Sequence, residues 1–168
     1  MPFLIDGYNL LNATGISSRG KGPGNLERAR QALLNTLVES LPPEEVPRTI
    51  VVFDASESPW GVAKQSVHRG ITVQFAAKDD DADSVIERLI AADSAPKRLT
   101  VVSSDHRLQR AAKRRRATAI DSDVWFNQLL RDRAARSSPS ATADVAKPEG
   151  PVSPGEVEQW LREFGLDG

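Results

Sequence analysis

The chain has 168 residues, enough for one domain with a real core and a short appendage, and its 22 Lys+Arg against 23 Asp+Glu leave a net charge of -1. Such a balance gives no global attraction to polyanions, so any nucleic-acid contact must come from local basic patches. With no cysteine and two histidines, a zinc–thiolate site, a cysteine nucleophile, a disulfide framework and a multi-histidine metal site are excluded, and a metal would have to be held by oxygen. No run approaches the roughly 18 apolar residues of a membrane helix. No basic region precedes the first apolar stretch, so neither a membrane span nor a secretory signal is expected, and the absence of cysteine fits the cytoplasm.

Phe3-Leu4-Ile5 is a short apolar run that stops at a carboxylate, Asp6, followed by Gly7, where the backbone can turn, then Tyr8 and Asn9. Runs of this kind read as buried strands of a parallel sheet, whose ligands bind beyond the carboxyl ends of the strands. Asn12 to Asn25 carries four glycines, Pro23, Arg19 and Lys21, and reads as a mobile, positively charged loop. Asn25 is placed to cap a helix with Leu26, Ala29, Leu33, Leu37 and Leu41 at helical spacing, ended by Pro42-Pro43.

Thr49 to Phe53 is a β-branched strand that again ends at a carboxylate, Asp54. Ala55 to Gly70 is polar, with Trp60, Lys64, His68 and Arg69, and shows no period. Ile71 to Phe75 reads as a third strand. Asp79, Asp80, Asp81 and Asp83 then open a helix carrying Val85, Ile86, Leu89 and Ile90, a place where exposed backbone N–H groups favour carboxylates. Leu99 to Val102 is a fourth strand, ending in Ser103-Ser104-Asp105. A helix follows with Leu108, Ala111 and Ala112 inward and Lys113 to Arg116 at its end; Ala117 to Ile120 is a short fifth strand. Ser122 caps a last helix with Val124, Trp125, Phe126, Leu129 and Leu130.

Alternating strands and helices call for a three-layer α/β/α sandwich on a mainly parallel sheet of about five strands. The domain is expected to span residues 1–136, followed by a Ser/Ala/Pro-rich flexible linker over 137–153. Residues 154–168 form a short amphipathic helix with Val157, Trp160, Leu161 and Phe164 on one face, to pack on the domain or on a partner.

Asp6, Asp54, the Asp80/Asp83 pair and Asp105 all follow strands or open helices. Singly, each has a plain structural reading as a cap or turn residue. Jointly, a parallel sheet sets them on one edge, with Asp6 beside Asp105 if the first and fourth strands are neighbours. Clustered carboxylates repel one another unless a cation offsets them, and Mg²⁺ or Mn²⁺ is the expected one. Such a site suits phosphoryl chemistry. Asn9, Ser103 and Ser104 could hold a phosphate oxygen or a water, or simply cap turns.

At these residues the sequence resembles the NYN-domain proteins, and within them the YacP-like branch of the PIN-like nuclease superfamily. The blocks are Asp6-Gly7-Tyr8-Asn9, Val52-Phe53-Asp54, Asp80-Asp81-Ala82-Asp83-Ser84 with Ile86-Glu87-Arg88, and Ser103-Ser104-Asp105, within about residues 1–136. The resemblance implies a parallel sheet with helices on both faces and a metal-dependent endoribonuclease of the bacterial cytoplasm, in some members acting on mRNA engaged with ribosomes. By position it implies Asp6, Asp80, Asp83 and Asp105 as metal ligands, Asn9 beside them and Asp54 as an accessory acid. The third block usually begins with Glu; Asp80 stands there, so which of Asp79, Asp80 and Asp81 faces the metal is left open.

For RNA, Arg19 and Lys21 share the acidic edge, with Lys64, His68 and Arg69 flanking it, whereas Lys113 to Arg116 read as a solvated helix end pointing away. Tyr8 could stack on a base, but a tyrosine just after a strand is more often partly buried; Trp60, in a loop without apolar period, is as well suited to the core as to a base. Two other functions compete with the nuclease. One is an RNA-binding or adaptor module without turnover, which would gain nothing from concentrated negative charge. The other is a phosphohydrolase using Asp6 as nucleophile, a chemistry that usually has a second acid where Tyr8 stands.

Overall fold

The computed structural model describes residues 2–16, 24–54, 65–77 and 80–137. Its contacts divide the chain into Met1–Ser137 and Ser138–Gly168. The expected linker and terminal helix therefore lie outside the described residues, as do Arg19, Lys21, Trp60 and Lys64.

In chain order the elements are β1 (Phe3–Asp6), α1 (Gly7–Thr14), α2 (Asn25–Ser40), β2 (Thr49–Phe53), β3 (Gln65–His68), β4 (Ile71–Phe75), α3 (Ala82–Ala92), β5 (Thr100–Val102), α4 (His106–Arg114), β6 (Thr118–Ile120) and α5 (Ser122–Ser137). The six strands form one sheet in the order β3-β4-β2-β1-β5-β6, with every pair parallel except β3 on β4. The α/β/α expectation holds, and β1 and β5 are indeed neighbours.

The pleat explains why the central strands β1, β2 and β5 are mostly apolar: consecutive residues face opposite sides, and both sides are covered. Ile5, Val51, Phe53, Val73 and Val102 join Leu10, Leu11, Leu33, Leu37, Trp125 and Leu129 in one core. Leu4, Val52 and Val101 join Val85, Ile86, Ile90, Leu108 and Ala112 in the other. Thus α1, α2 and α5 cover one face and α3 and α4 the other.

Four local expectations are corrected. A sixth strand, β3, exists; its Gln-Ser-Val-His sequence has no apolar alternation because it is an exposed edge strand. Residues 7–14 are helical, and Asp6 is both the last strand residue and the cap of α1, accepting from the Asn9 N–H. Helix α2 is preceded by Gly24 at φ 78° as its N-cap, with no side-chain cap hydrogen bond. On α5, Trp125 and Leu129 are buried, whereas Val124 and Leu130 are exposed.

Gly7 has a different reason from the one its sequence suggests. A Cβ there would stand 2.3 Å from Phe53 Cε1, so glycine is required by close approach of α1 to the ring, not by the turn itself.

Candidate active site

The acidic edge is built where β1 and β5 lie side by side, with β2 and β6 beyond them. Two chains leaving adjacent parallel strands toward opposite faces open a crevice there. Asp6 ends β1 at its mouth and is 7 % exposed. Its Oδ1 accepts from the Asn9 N–H at 3.1 Å, and its Oδ2 accepts from the Ser103 hydroxyl at 3.1 Å. Ser103 is fully buried and also accepts from the Asp105 N–H at 3.0 Å. One hydroxyl thus ties the ends of β1 and β5 together.

Burial pushes the Asp6 carboxyl up from 3.8 to about 6; the two hydrogen bonds oppose this, and the charges of Asp83 and Asp105 add to it. Asp83 is raised too, by burial and then by Asp105. Asp6, Asp83 and Asp105 therefore repel one another across a single crevice. Asp105 caps α4, accepting from the Arg107 N–H at 2.6 Å, as its structural reading said. Its other interactions place it among the acids as well, so the two readings coexist.

Asp80 is turned elsewhere. Asp81, not Asp80, is the N-cap of α3, and that register aims Asp83 at the crevice while Asp80 forms an ion pair with Arg88. The Arg88 hydrogen bond holds Asp80 below its usual carboxylate range. Asp54 follows β2 on the same edge, half-buried, two residues beyond Val52, the partner of Asp6 in the sheet. Asp79 lies outside the described residues.

The amide of Asn9 is fixed by a clamp that sequence alone did not reveal. Its Oδ1 accepts from the Ser104 N–H at 3.0 Å and from the Ser122 hydroxyl at 2.7 Å. The backbone donor determines which end of the amide is oxygen, so the NH₂ end remains a donor for a ligand. Ser104 Oγ in turn accepts from the Ser122 N–H at 3.2 Å. Ser122 was read as a cap only; its role depends on α5 returning to α1.

Two more residues were missed. Arg107 grips Glu87 with two hydrogen bonds, at 3.1 and 2.8 Å, and lies 4.0 Å from Asp83. Arg30 is buried against Phe53 and Phe75 and donates to the Tyr8 hydroxyl at 3.1 Å. Its position on the apolar face of α2, four residues after Leu26, was a readable signal. Tyr8 is half-buried and packs edge-on against Phe53, which assigns it to the core.

The loop cations fare differently. Arg69 and Gly70 form the two-residue turn between β3 and β4, both with positive φ (47° and 101°), as a type I′ hairpin requires. That turn precedes β4, so it sits at the sheet edge opposite Asp6, and Arg69 does not flank the site. His68 is held by α2, with Nε2 2.9 Å from Asn35 Oδ1 and Nδ1 3.3 Å from Gln31 Nε2. Burial, and then Arg69, lower its pKa.

The donor set suits a hard divalent cation: all oxygen, partly buried, and self-repelling until a cation offsets it. Among the described residues no three acidic or histidine side chains converge tightly enough to enclose an ion.

Ser103→Ala is expected to loosen this edge. It strips Asp6 Oδ2 of a donor and leaves the Asp105 N–H without an acceptor, each worth about 1–3 kcal/mol when buried. Urea melts are expected to show a lower midpoint with an unchanged slope. A midpoint equal to that of the parent would mean the hydroxyl joins nothing of consequence.

A mainly parallel α/β/α sheet with carboxylates gathered at its switch point is the architecture of a nuclease-type, PIN-like domain. The chain belongs to the YacP-like NYN domain family, whose model matches residues 3–159, farther than the motif blocks reach. Its structure is similar to the crystal structure of Rae1 (YacP) from Bacillus subtilis, at 25% identity and TM-score 0.66, over 98% of this chain and 92% of that one. It is also similar to a single-substitution mutant of Rae1 (YacP) from Bacillus subtilis, at 24% identity and TM-score 0.60, over 99% of this chain and 86% of that one. No curated protein matches the sequence. Among the described residues no helix is long and apolar enough to cross a membrane.

Proposed function

We propose that the protein is an endoribonuclease that cuts single-stranded RNA with the help of Mg²⁺ or Mn²⁺. The observation that carries this is the placement of Asp6, buried at the end of β1 beside β5, tied to Ser103 and facing the charges of Asp83 and Asp105. A binding module gains nothing from an uncompensated carboxylate where phosphates must approach, whereas a cation site needs one.

Asp6, Asp83 and Asp105 would hold the ion, with Asp54 accessory and Asp80 displaced to Arg88. A divalent cation in such a place withdraws charge from the phosphodiester and makes water more acidic, which favours hydrolysis. Ser103 keeps Asp6 oriented. The Asn9 NH₂, immobilised by Ser104 and Ser122, is a donor for a phosphate oxygen. In the same reading the substrate is RNA of the cytoplasm, with mRNA on the ribosome as the target class.

The expected result is cleavage of an unstructured RNA that requires Mn²⁺ or Mg²⁺ and stops with EDTA. Asp105→Asn, which keeps the cap of α4, should slow cleavage by on the order of 100-fold or more with an unchanged circular dichroism spectrum. Cutting at the parental rate would remove Asp105 from the site. A parent that binds RNA but never cuts it would favour the adaptor reading.

A further inference from the structure

Helix α4 buries Leu108 and Ala112, and among the described residues Arg107, Arg110, Lys113 and Arg114 line an open groove on its outer side. Residues 107, 110 and 114 follow helical spacing, so their side chains share one face over about 10 Å of rise. A helix terminus explains only part of this. The dipole favours cations in the last turn, where Lys113 and Arg114 stand, disfavours them in the first, where Arg107 stands, and does not account for Arg110 in the middle. Arg107 has Glu87 as its partner. Among the described residues Arg110, Lys113 and Arg114 make no ion pair within 4 Å, although the charge of Arg114 also reaches Glu87, and Arg110 Nε donates to the His106 carbonyl at 3.2 Å.

The row of cations also has a direction. Arg107 lies at its inner end, touching Glu87 and near Asp83, so the basic groove runs directly into the acidic crevice. A polyanion lying along α4 would deliver a phosphate to that crevice, and no other ligand class matches a cationic row that ends at a cation-holding site. We infer that the outer face of α4 is the track for the phosphate backbone of the substrate RNA. The inference rests on the nuclease reading and deepens it. It also replaces the view of Lys113 and Arg114 as merely solvated. Recognition of this kind is by charge, so it is salt-dependent and indifferent to base sequence.

The test is fluorescence anisotropy of a labelled oligouridylate of about twelve nucleotides, in EDTA so that nothing is cut. The full chain is compared with the Arg110→Ala/Lys113→Ala/Arg114→Ala variant. Three lost phosphate contacts should flatten the slope of log K against log salt by about 2 and weaken low-salt binding by about tenfold or more. In cleavage assays KM should rise while kcat holds, because none of the three touches the carboxylates. Arg110→Lys/Arg114→Lys should keep the parental slope; a loss there would overturn the claim that charge alone is read. If the triple variant binds with the parental affinity and slope while the parent binds and cuts RNA, the track is wrong and the nuclease reading stands. If the parent neither binds nor cuts RNA, the nuclease reading fails and takes the track with it.

Discussion

Asp6→Asn is expected to abolish RNA cleavage and, in metal-free buffer at neutral pH, to make the protein more stable. A buried carboxyl raised from 3.8 to about 6 costs about 3 kcal/mol once it ionises. The sign is that of a raised acid: its contribution is favourable below the unfolded value and is lost as pH climbs through about 6. Asparagine carries no such penalty. It still accepts from the Asn9 N–H, but the Ser103 proton loses its acceptor, worth about 1 kcal/mol. The net gain is about 2 kcal/mol, or about 5 °C in Tm for a domain of this size.

Other carboxylates shift in both directions, so the comparison to make is between the variant and its parent from pH 4 to 8 in EDTA. The parent should lose stability across that range relative to Asp6→Asn. A variant that melts lower at every pH, with the parental slope retained, would show that Asp6 is not the strained group. Adding Mg²⁺ or Mn²⁺ should stabilise the parent and leave Asp6→Asn unmoved, a readout independent of cleavage. Stability given up at a functional site in this way is a general pattern.

Gly7→Ala is expected to be the most damaging small substitution in the molecule. The new methyl would lie 2.3, 2.5 and 2.8 Å from three atoms of the Phe53 ring. That ring is fully buried, stacked on Phe75 at 5.8 Å and met edge-on by Tyr8 at 5.4 Å, so moving it disturbs both neighbours. Overpacking of this kind costs about 1–3 kcal/mol or more. The displacement falls on the residue next to Asp6, so activity should fall with stability. A double-mutant cycle checks the cause: the Gly7→Ala penalty should shrink in a Phe53→Leu background. An undiminished penalty would mean the ring is not the obstacle.

How legible all this was depends on distance along the chain. The central strands announced themselves because both their faces are buried, and Asp6 and Asp105 followed from where those strands stop. Helix α1 escaped notice because it starts directly on the last strand residue and buries only Gly7, Leu10 and Leu11. β3 was silent because an exposed edge strand needs no apolar residues. The acids of α3 were seen, but which one points inward depends on a one-residue choice of cap, Asp81, that spacing does not fix. The Asn9–Ser122 clamp had no local signature at all, since it joins residues 113 positions apart. Arg69 was misplaced for a similar reason: its sheet edge is decided by the hairpin turn, not by its neighbours in sequence.

The central place of β1 also sets the order in which the molecule becomes competent. Asp6 ends β1, yet Ser103, which orients it, comes 97 residues later in the chain, and Ser122 later still. The surroundings of that carboxylate are therefore complete only once segments about a hundred residues apart have folded together. The edge that gathers these side chains is thus a product of the whole sheet having closed, and of no single segment in it.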